Sequence, residues 1–140
     1  EMKLIRFSSE NLTNDRKAVY AIDGNPRTVW HSQFSANLAK HPHELVIDLG
    51  ATYQIRGFRY LARQDNGWNG AFAKTEFSIS DSPDSFGDPV VVTTFLKIRT
   101  PQTANCEQPV RGRYVLVRVL SEVNGKEWGS AAEIGIIGSK

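Results

Sequence analysis

The chain has 140 residues, 40% of them hydrophobic, with 17 basic side chains against 15 acidic ones and a single cysteine. That length suffices for one domain with one sizeable core, and the lone Cys106 excludes an intrachain disulfide, a CxxC redox motif and a zinc finger. A net charge of +2 spread over interleaved residues lacks the clustered basic footprint of nucleic-acid binding, no apolar run reaches the roughly 18 residues of a membrane span, and the first seven residues lack the apolar core of a signal peptide.

Alternation of apolar and polar residues at period two, rich in β-branched and aromatic side chains, predicts strands at 3–7, 44–49, 53–60, 74–80, 90–95, 113–120 and 133–137. The one helical signal covers 15–22, with Thr13 or Asn14 as cap and Ala18, Tyr20 and Ala21 as helix formers. It is too short for a βαβ crossover. Turn clusters separate the strands, among them Asp23-Gly24-Asn25-Pro26, Asp65-Asn66-Gly67, Asn69-Gly70, Ser82-Pro83-Asp84 and Asn124-Gly125. The expected fold class is therefore all-β, an antiparallel β-sandwich or jelly roll in one domain over 1–140, excised from a larger multidomain protein. In the strand at 113–120, Val115, Val117 and Val119 share one face and Tyr114, Leu116, Arg118 and Leu120 the other, which predicts a central strand with Arg118 at a rim or paired.

Two groups of residues stand out chemically. Around Gly24, the oxygens of Asp23, Asn25 and Thr28 have the spacing to wrap a hard cation such as calcium, although the same run serves equally as a turn. The second group, His31, Arg63, Asn69 and Trp128, is scattered along the sequence but falls in loops at strand ends, which converge at one end of a sandwich. Neutral His31 can accept or donate, Arg63 offers a fork of donors and Asn69 both functions, while Trp128 offers a flat apolar face. Each also has a plainer reading: His31 packed beside Trp30, Arg63 paired with Asp65. Trp30 reads as core. Trp68, between Gly67 and Asn69, lies at the tip of the same loops and is placed to form a second stacking wall. His41 and His43, two apart without a third ligand, read as rim residues rather than a transition-metal site. Asn11-Leu12-Thr13 is a glycosylation sequon.

The strings AIDGNPRTVWHS (21–32), PHELVIDLG (42–50), RGFRYLARQDNGWNG (56–70), TEFSIS (75–80), RYVLVRV (113–119) and AAEIGIIG (131–138) occur in an order that resembles a discoidin-type domain of the coagulation factor 5/8 C group. Within that group the chain is most similar to the family 32 carbohydrate-binding modules. The resemblance implies a jelly-roll sandwich with a structural calcium ion held by side-chain oxygens of Asp23, Thr28 and Glu133 and by main-chain carbonyls of Tyr20, Asn25, Thr28 and Ala132. It further implies that His31, Arg63 and Asn69 hydrogen-bond a sugar on which Trp128 stacks. Two departures from the family pattern concern aim: Ala62 stands where relatives often carry proline before the arginine, and Asn66 competes with Asn69.

No G-x-S-x-G elbow, HExxH helix or phosphate loop is present, and the scattered carboxylates do not read as a glycosidase pair. The resulting expectation is a non-catalytic carbohydrate-binding module that targets an appended glycoside-active enzyme to glycans bearing terminal galactose or N-acetylgalactosamine, located outside the cell, on its surface or in the periplasm. Two alternatives remain open at this point. One is an adhesion domain that presents Trp68, Phe72 and Trp128 as apolar spikes to a protein or lipid headgroup. The other is a module for an acidic polysaccharide, read by Arg63 and Lys126.

Overall fold

The computed structural model describes residues 1–140. Eight strands form it: β1 Lys3–Phe7, β2 Trp30–His31, β3 His43–Leu61, β4 Lys74–Ser80, β5 Val91–Thr94, β6 Gln102–Val119, β7 Ser130–Ala131 and β8 Glu133–Ser139, with one 3-10 turn at Ala18–Ile22. All strand pairings are antiparallel. The main hydrogen-bonded path runs β1-β3-β6-β4-β5, β8 joins the far half of β3, and β2 and β7 form a separate short ribbon.

Two long strands make the sandwich. The stretch of β3 from His43 to Asp48 lies between β1 and the end of β6 from Tyr114 to Val119. Its stretch from Tyr53 to Tyr60 lies between the start of β6 and β8. The pair turns from one layer into the other around Gly50, whose φ of +82° suits glycine. A bulge at Arg56 then inserts one extra residue against β8, which keeps Ile55 inward together with Phe58 and Tyr60.

The core follows from strand periodicity. Leu45 and Ile47 of β3, Val115, Val117 and Val119 of β6, and Phe77 of β4 point inward from one layer, while Ile55, Phe58 and Tyr60 of β3 and Ile134 of β8 point inward from the other. Phe58 and Phe77 stack across the layers with centroids 4.2 Å apart. Trp30 is wholly buried, as expected, and its Nε1 donates to Ser9 O at 2.9 Å. Arg118 is exposed on the outer face and pairs with Glu44 at 3.4 Å.

Several elements differ from the sequence reading. The segments 44–49 and 53–60 are one continuous strand, and β6 begins eleven residues before 113, at Gln102. The expected helix over 15–22 shrinks to a single 3-10 turn, because Asp15 takes a φ of +56° that a helix cannot continue. Phe72 is no exposed spike: it is fully buried, stacked on Tyr60 at 4.2 Å and edge-on to Trp30 at 6.2 Å. His43 is no rim residue either, being completely buried. Replacing Phe77 with alanine removes one side of the aromatic stack between the layers and should cost about 3–5 kcal/mol, measured by urea unfolding. A loss below about 1 kcal/mol would show that the layers do not depend on this stack.

Candidate functional site

Loops from four parts of the chain meet beside β2 and β7. His31 pairs with Ser130, Ser130 also bridges Ala71, and the Ser32 amide donates to Gly129 O at 2.8 Å while the Gly129 amide donates to Ser32 Oγ at 2.9 Å. Gly70 closes the junction at a φ of +90°, so near Gly129 and Ser130 that a Cβ would come within 2.7 Å of their backbone. These contacts bring His31, Asn69 and Trp128 to one corner, and Arg63 joins them by donating from Nη1 to Asn69 O at 3.0 Å.

The polar groups of this corner are partly committed and partly free. The His31 ring is buried, its Nδ1 lies 2.7 Å from Ser32 O, and burial together with the nearby Arg63 and Arg16 holds its pKa below the usual value. The ring is therefore neutral near pH 7, with Nδ1–H donating to Ser32 O and the Nε2 lone pair available as an acceptor. Arg63 does pair with Asp65, through Nε and Nη2 at 2.7 Å each. The fork holds the Asp65 carboxyl down at about 2. Three of the five guanidinium N–H groups are thereby spent, and one remains on each terminal nitrogen. The Asn69 side chain is exposed and makes no hydrogen bond within the protein, whereas its carbonyl accepts from both Arg63 and Ser130 Oγ.

Trp128 stands half-buried over this polar edge, its ring centroid 6.1 Å from that of His31. Phe34 sits edge-on to His31 at 4.9 Å, and together with Leu38 and Trp128 it lines an open groove of about 490 Å³. Sequence reasoning did not select Phe34, because a phenylalanine in a polar loop carries no periodic signal. Trp68 is placed differently from a free stacking wall. Its body packs against the core, and the Arg99 guanidinium lies 3.7 Å above its ring, held there by bonds to the Arg63 and Gly67 carbonyls. Asn66 is exposed, and Asn69 is the asparagine whose backbone meets Arg63.

Three buried polar residues outside the expected set fix the loops. Glu122 accepts from the Gly70, Asn124 and Lys126 amides at 2.8–2.9 Å, tying the Asn69 turn to the loop that carries Trp128. His43 bonds through Nε2 to Glu127 O at 2.6 Å, and its ring lies against Gly129, where a Cβ would come within 2.8 Å. His41 adds a contact to Glu127 Oε1 at 3.3 Å. Asn11 receives the Phe34 and Ser35 amides on Oδ1 and donates from Nδ2 to Thr13, Asn14 and Ser35. Its signal in the sequence was a sequon; its place in the structure is a buried strut.

A second constellation lies where the 3-10 turn meets β8. Asp23 caps the turn, its Oδ2 accepts from Thr28 Oγ1 at 2.5 Å, its Oδ1 accepts from the Asn25 amide at 2.9 Å, and Thr28 Oγ1 also lies 3.0 Å from Asn25 O. Glu133 reaches the same loop from β8 and shares a hydrogen bond with Asp23. Burial, reinforced by that neighbouring carboxylate, pushes Glu133 up to about 8. Burial also raises Asp23, but its bonds from Glu133, Thr28 and the Asn25 amide outweigh this and leave it below the usual range. Glu133 Oε1 is buried without a partner. Two carboxyls, a hydroxyl and a main-chain carbonyl converging around an unpartnered oxygen form a donor set that suits calcium. Tyr20 in the turn and Ala132 beside Glu133 flank it in the chain.

In calcium-free buffer this pair carries a pH signature. A folded pKa of about 8 against an ordinary 4.5 means that Glu133 favours folding fully below the unfolded value and that this contribution is lost as pH rises through about 8. Glu133→Gln cannot ionise, so its melting temperature should gain on the wild type between pH 5 and pH 9 in chelator. A constant difference between the two proteins would show that Glu133 is not the titrating group.

Comparison with known proteins agrees with this architecture. The family model for the F5/8 type C domain matches residues 5–134. The chain is 36% identical over 118 residues to a galactose oxidase of Gibberella zeae, covering 83% of this chain and 17% of that protein. It is 35% identical over 135 residues to a sialidase of Micromonospora viridifaciens, covering 95% of this chain and 20% of that protein. The chain thus spans a fifth or less of the length of these relatives. Among solved structures, a family 32 carbohydrate-binding module from Clostridium perfringens in complex with GalNAc-β-1,3-galactose superposes with a TM-score of 0.86 at 27% identity, over 97% of this chain and 94% of that one. Another from the same organism, in complex with galactose, gives 0.82 at 23% identity, over 96% and 92% of the two chains, and shows likeness of fold. The chain belongs to the F5/8 type C domain family, as a non-catalytic module whose structure is closely similar to those of family 32 carbohydrate-binding modules.

Proposed function

We propose that the corner formed by His31, Arg63, Asn69 and Trp128 binds the terminal galactose or N-acetylgalactosamine of a glycan. The observation that carries this reading is the set of unspent polar groups at one loop junction that also carries an aromatic face: the His31 acceptor, its ring 6.1 Å from that of Trp128, with two Arg63 N–H groups and the Asn69 amide. A pyranose has the matching form, with a C–H face that stacks on an indole and hydroxyls along its edge. An axial O4 beside an equatorial O3 presents two adjacent hydroxyls to the arginine fork, which favours the galacto over the gluco configuration. The solved relative at 27% identity binds a disaccharide of these two sugars.

Of the three side chains a lipid-inserting reading would present as spikes, Phe72 is buried and Trp68 is covered on one face by Arg99, which weakens that reading. In this reading the module supplies no chemistry. It raises the local concentration of an attached glycoside-active domain at glycans outside the cell, and even weak binding suffices for that.

Calcium, in this reading, takes the place of the proton shared by Asp23 and Glu133. Side chains of Asp23, Thr28 and Glu133 and carbonyls of Tyr20, Asn25, Thr28 and Ala132 hold the ion, which ties the turn after residue 18 to a strand more than a hundred positions later. Its role is structural.

Isothermal titration is expected to give heat with galactose and N-acetylgalactosamine and none with glucose or mannose; silence with every galacto-configured sugar would overturn the assignment. Trp128→Ala should weaken binding at least about tenfold while leaving the melting temperature in place. Calcium at about a hundredfold above its Kd should raise that temperature by roughly 10 °C, and Asp23→Ala should remove the increment. An equal rise in the variant would place the ion elsewhere.

A further inference from the structure

On the Asp65 side of the sugar corner lies a separate pocket of about 270 Å³, lined by Arg16, Arg27, Val29, Gln64 and Asp65. Neither arginine has a role in the galactose reading. The main chain of Arg16 is fixed, its amide bonded to Asn11 O and its carbonyl to the His31 amide, so its side chain starts next to the sugar-binding histidine. Its guanidinium approaches Asp65 Oδ2 only to 3.7 Å and makes no hydrogen bond. Arg27 is exposed, and its guanidinium is in neither a hydrogen bond nor an ion pair. Neither guanidinium makes a hydrogen bond within the protein, and the one charge facing Arg16, Asp65, is already bonded to Arg63.

The Asp65 carboxylate also stands in the wall. It is already neutralised, because Arg63 holds it through two bonds of 2.7 Å and the Gly67 amide adds a third at 3.1 Å. In the wall itself two guanidiniums, of Arg16 and Arg27, stand with one carboxylate, and that carboxylate is already bonded to Arg63. Of the other acids near these arginines, Asp15 keeps its charge and accepts from the Tyr20 hydroxyl at 2.9 Å, Asp23 and Glu133 meet each other, and none of the three lines the pocket. A neutral sugar has no use for such a charge excess, whereas a sulfate ester or a carboxylate does.

We propose that the Arg16–Arg27 pocket is a second subsite that takes an anionic oxygen substituent, sulfate or carboxylate, on a galactose-configured glycan held at the neighbouring corner. The inference rests on the galactose reading for the position of the sugar, but the charge site itself does not.

The test is titration at low ionic strength with galactose, galactose 3-sulfate, galactose 6-sulfate and galacturonic acid, for the wild type, Arg16→Gln and Arg27→Gln. At least one anionic galactoside should bind about tenfold tighter than galactose, with the advantage shrinking in added salt. Each variant should lose that advantage, and Arg27→Gln should leave galactose affinity unchanged. The arm that gains separates a sulfated from a uronate ligand. Anionic sugars that bind no tighter than galactose, or whose advantage survives both substitutions, would overturn the subsite. Should galactose itself fail to bind, inorganic sulfate decides the matter. Saturable shifts of the Arg16 and Arg27 Nε–H resonances in the wild type, with the Arg16 shift lost in Arg27→Gln, would support the subsite without the galactose reading, and the absence of such shifts, or an Arg16 shift that survives in the variant, would overturn it.

Discussion

The pairing of β3 with β6 is the constraint on which the rest of the molecule depends. Each strand is long enough to serve both layers, and their ladder stays antiparallel from His43 against Val119 to Tyr60 against Gln102 while crossing the bend at Gly50. The two layers are therefore covalently continuous, and the inward alternation of one strand supplies residues to both sides of the core. Hydrophobic burial provides the main driving force. The shared strands decide which faces meet, and they place His43 at one end of β3 and Ala62 and Arg63 just past the other, both beside the corner formed by His31, Asn69 and Trp128.

That corner is held by polar groups rather than by apolar packing. Glu122, His43, Asn11 and Ser32 are all buried, and each bonds to the backbone of a loop that meets at this corner. Buried acceptors with no water to turn to are costly to leave unmade, so each loop has few alternatives to its observed course. The same economy appears in Arg63, where the bonds that orient the guanidinium leave two of its N–H groups over. Preorganisation of this kind lowers the entropy lost when a small ligand is bound.

Much of this was legible in the sequence, and the misses have identifiable causes. The alternation in 113–119 reports the central strand correctly because one face is wholly apolar and the other carries Arg118 toward Glu44. The first half of β6 is silent by the same rule: Gln102, Asn105, Glu107, Gln108 and Pro109 break the pattern, and Ala104 alone of that run is buried. His43 was readable in principle, since it shares the two-residue phase of Leu45, Ile47 and Leu49, all inward, but its neighbours His41 and Pro42 suggested a surface loop. For the site, residue types marked the candidates His31, Arg63, Asn69 and Trp128. Which nitrogen of each is spent and which is free depends on contacts such as Arg63 with Asp65 and Asn69, and Trp68 met Arg99 through partners 31 positions away. The Asp23 to Glu133 meeting was suggested by family pattern alone, because no local rule links positions so distant.

Asn11 has a consequence for how the protein is made. It stands in an Asn-Leu-Thr sequon, yet its side chain is buried and its amide group bonds to three oxygens while its carbonyl oxygen holds the Phe34 loop. An oligosaccharide joined to that nitrogen would replace one of its N–H donors, crowd the acceptor oxygens of Thr13, Asn14 and Ser35, and force the loop outward. Cells that glycosylate nascent chains in a secretory compartment attach the sugar before such a corner can close. In those cells modification and folding compete for one side chain, whereas a bacterial host leaves Asn11 to its structural partners.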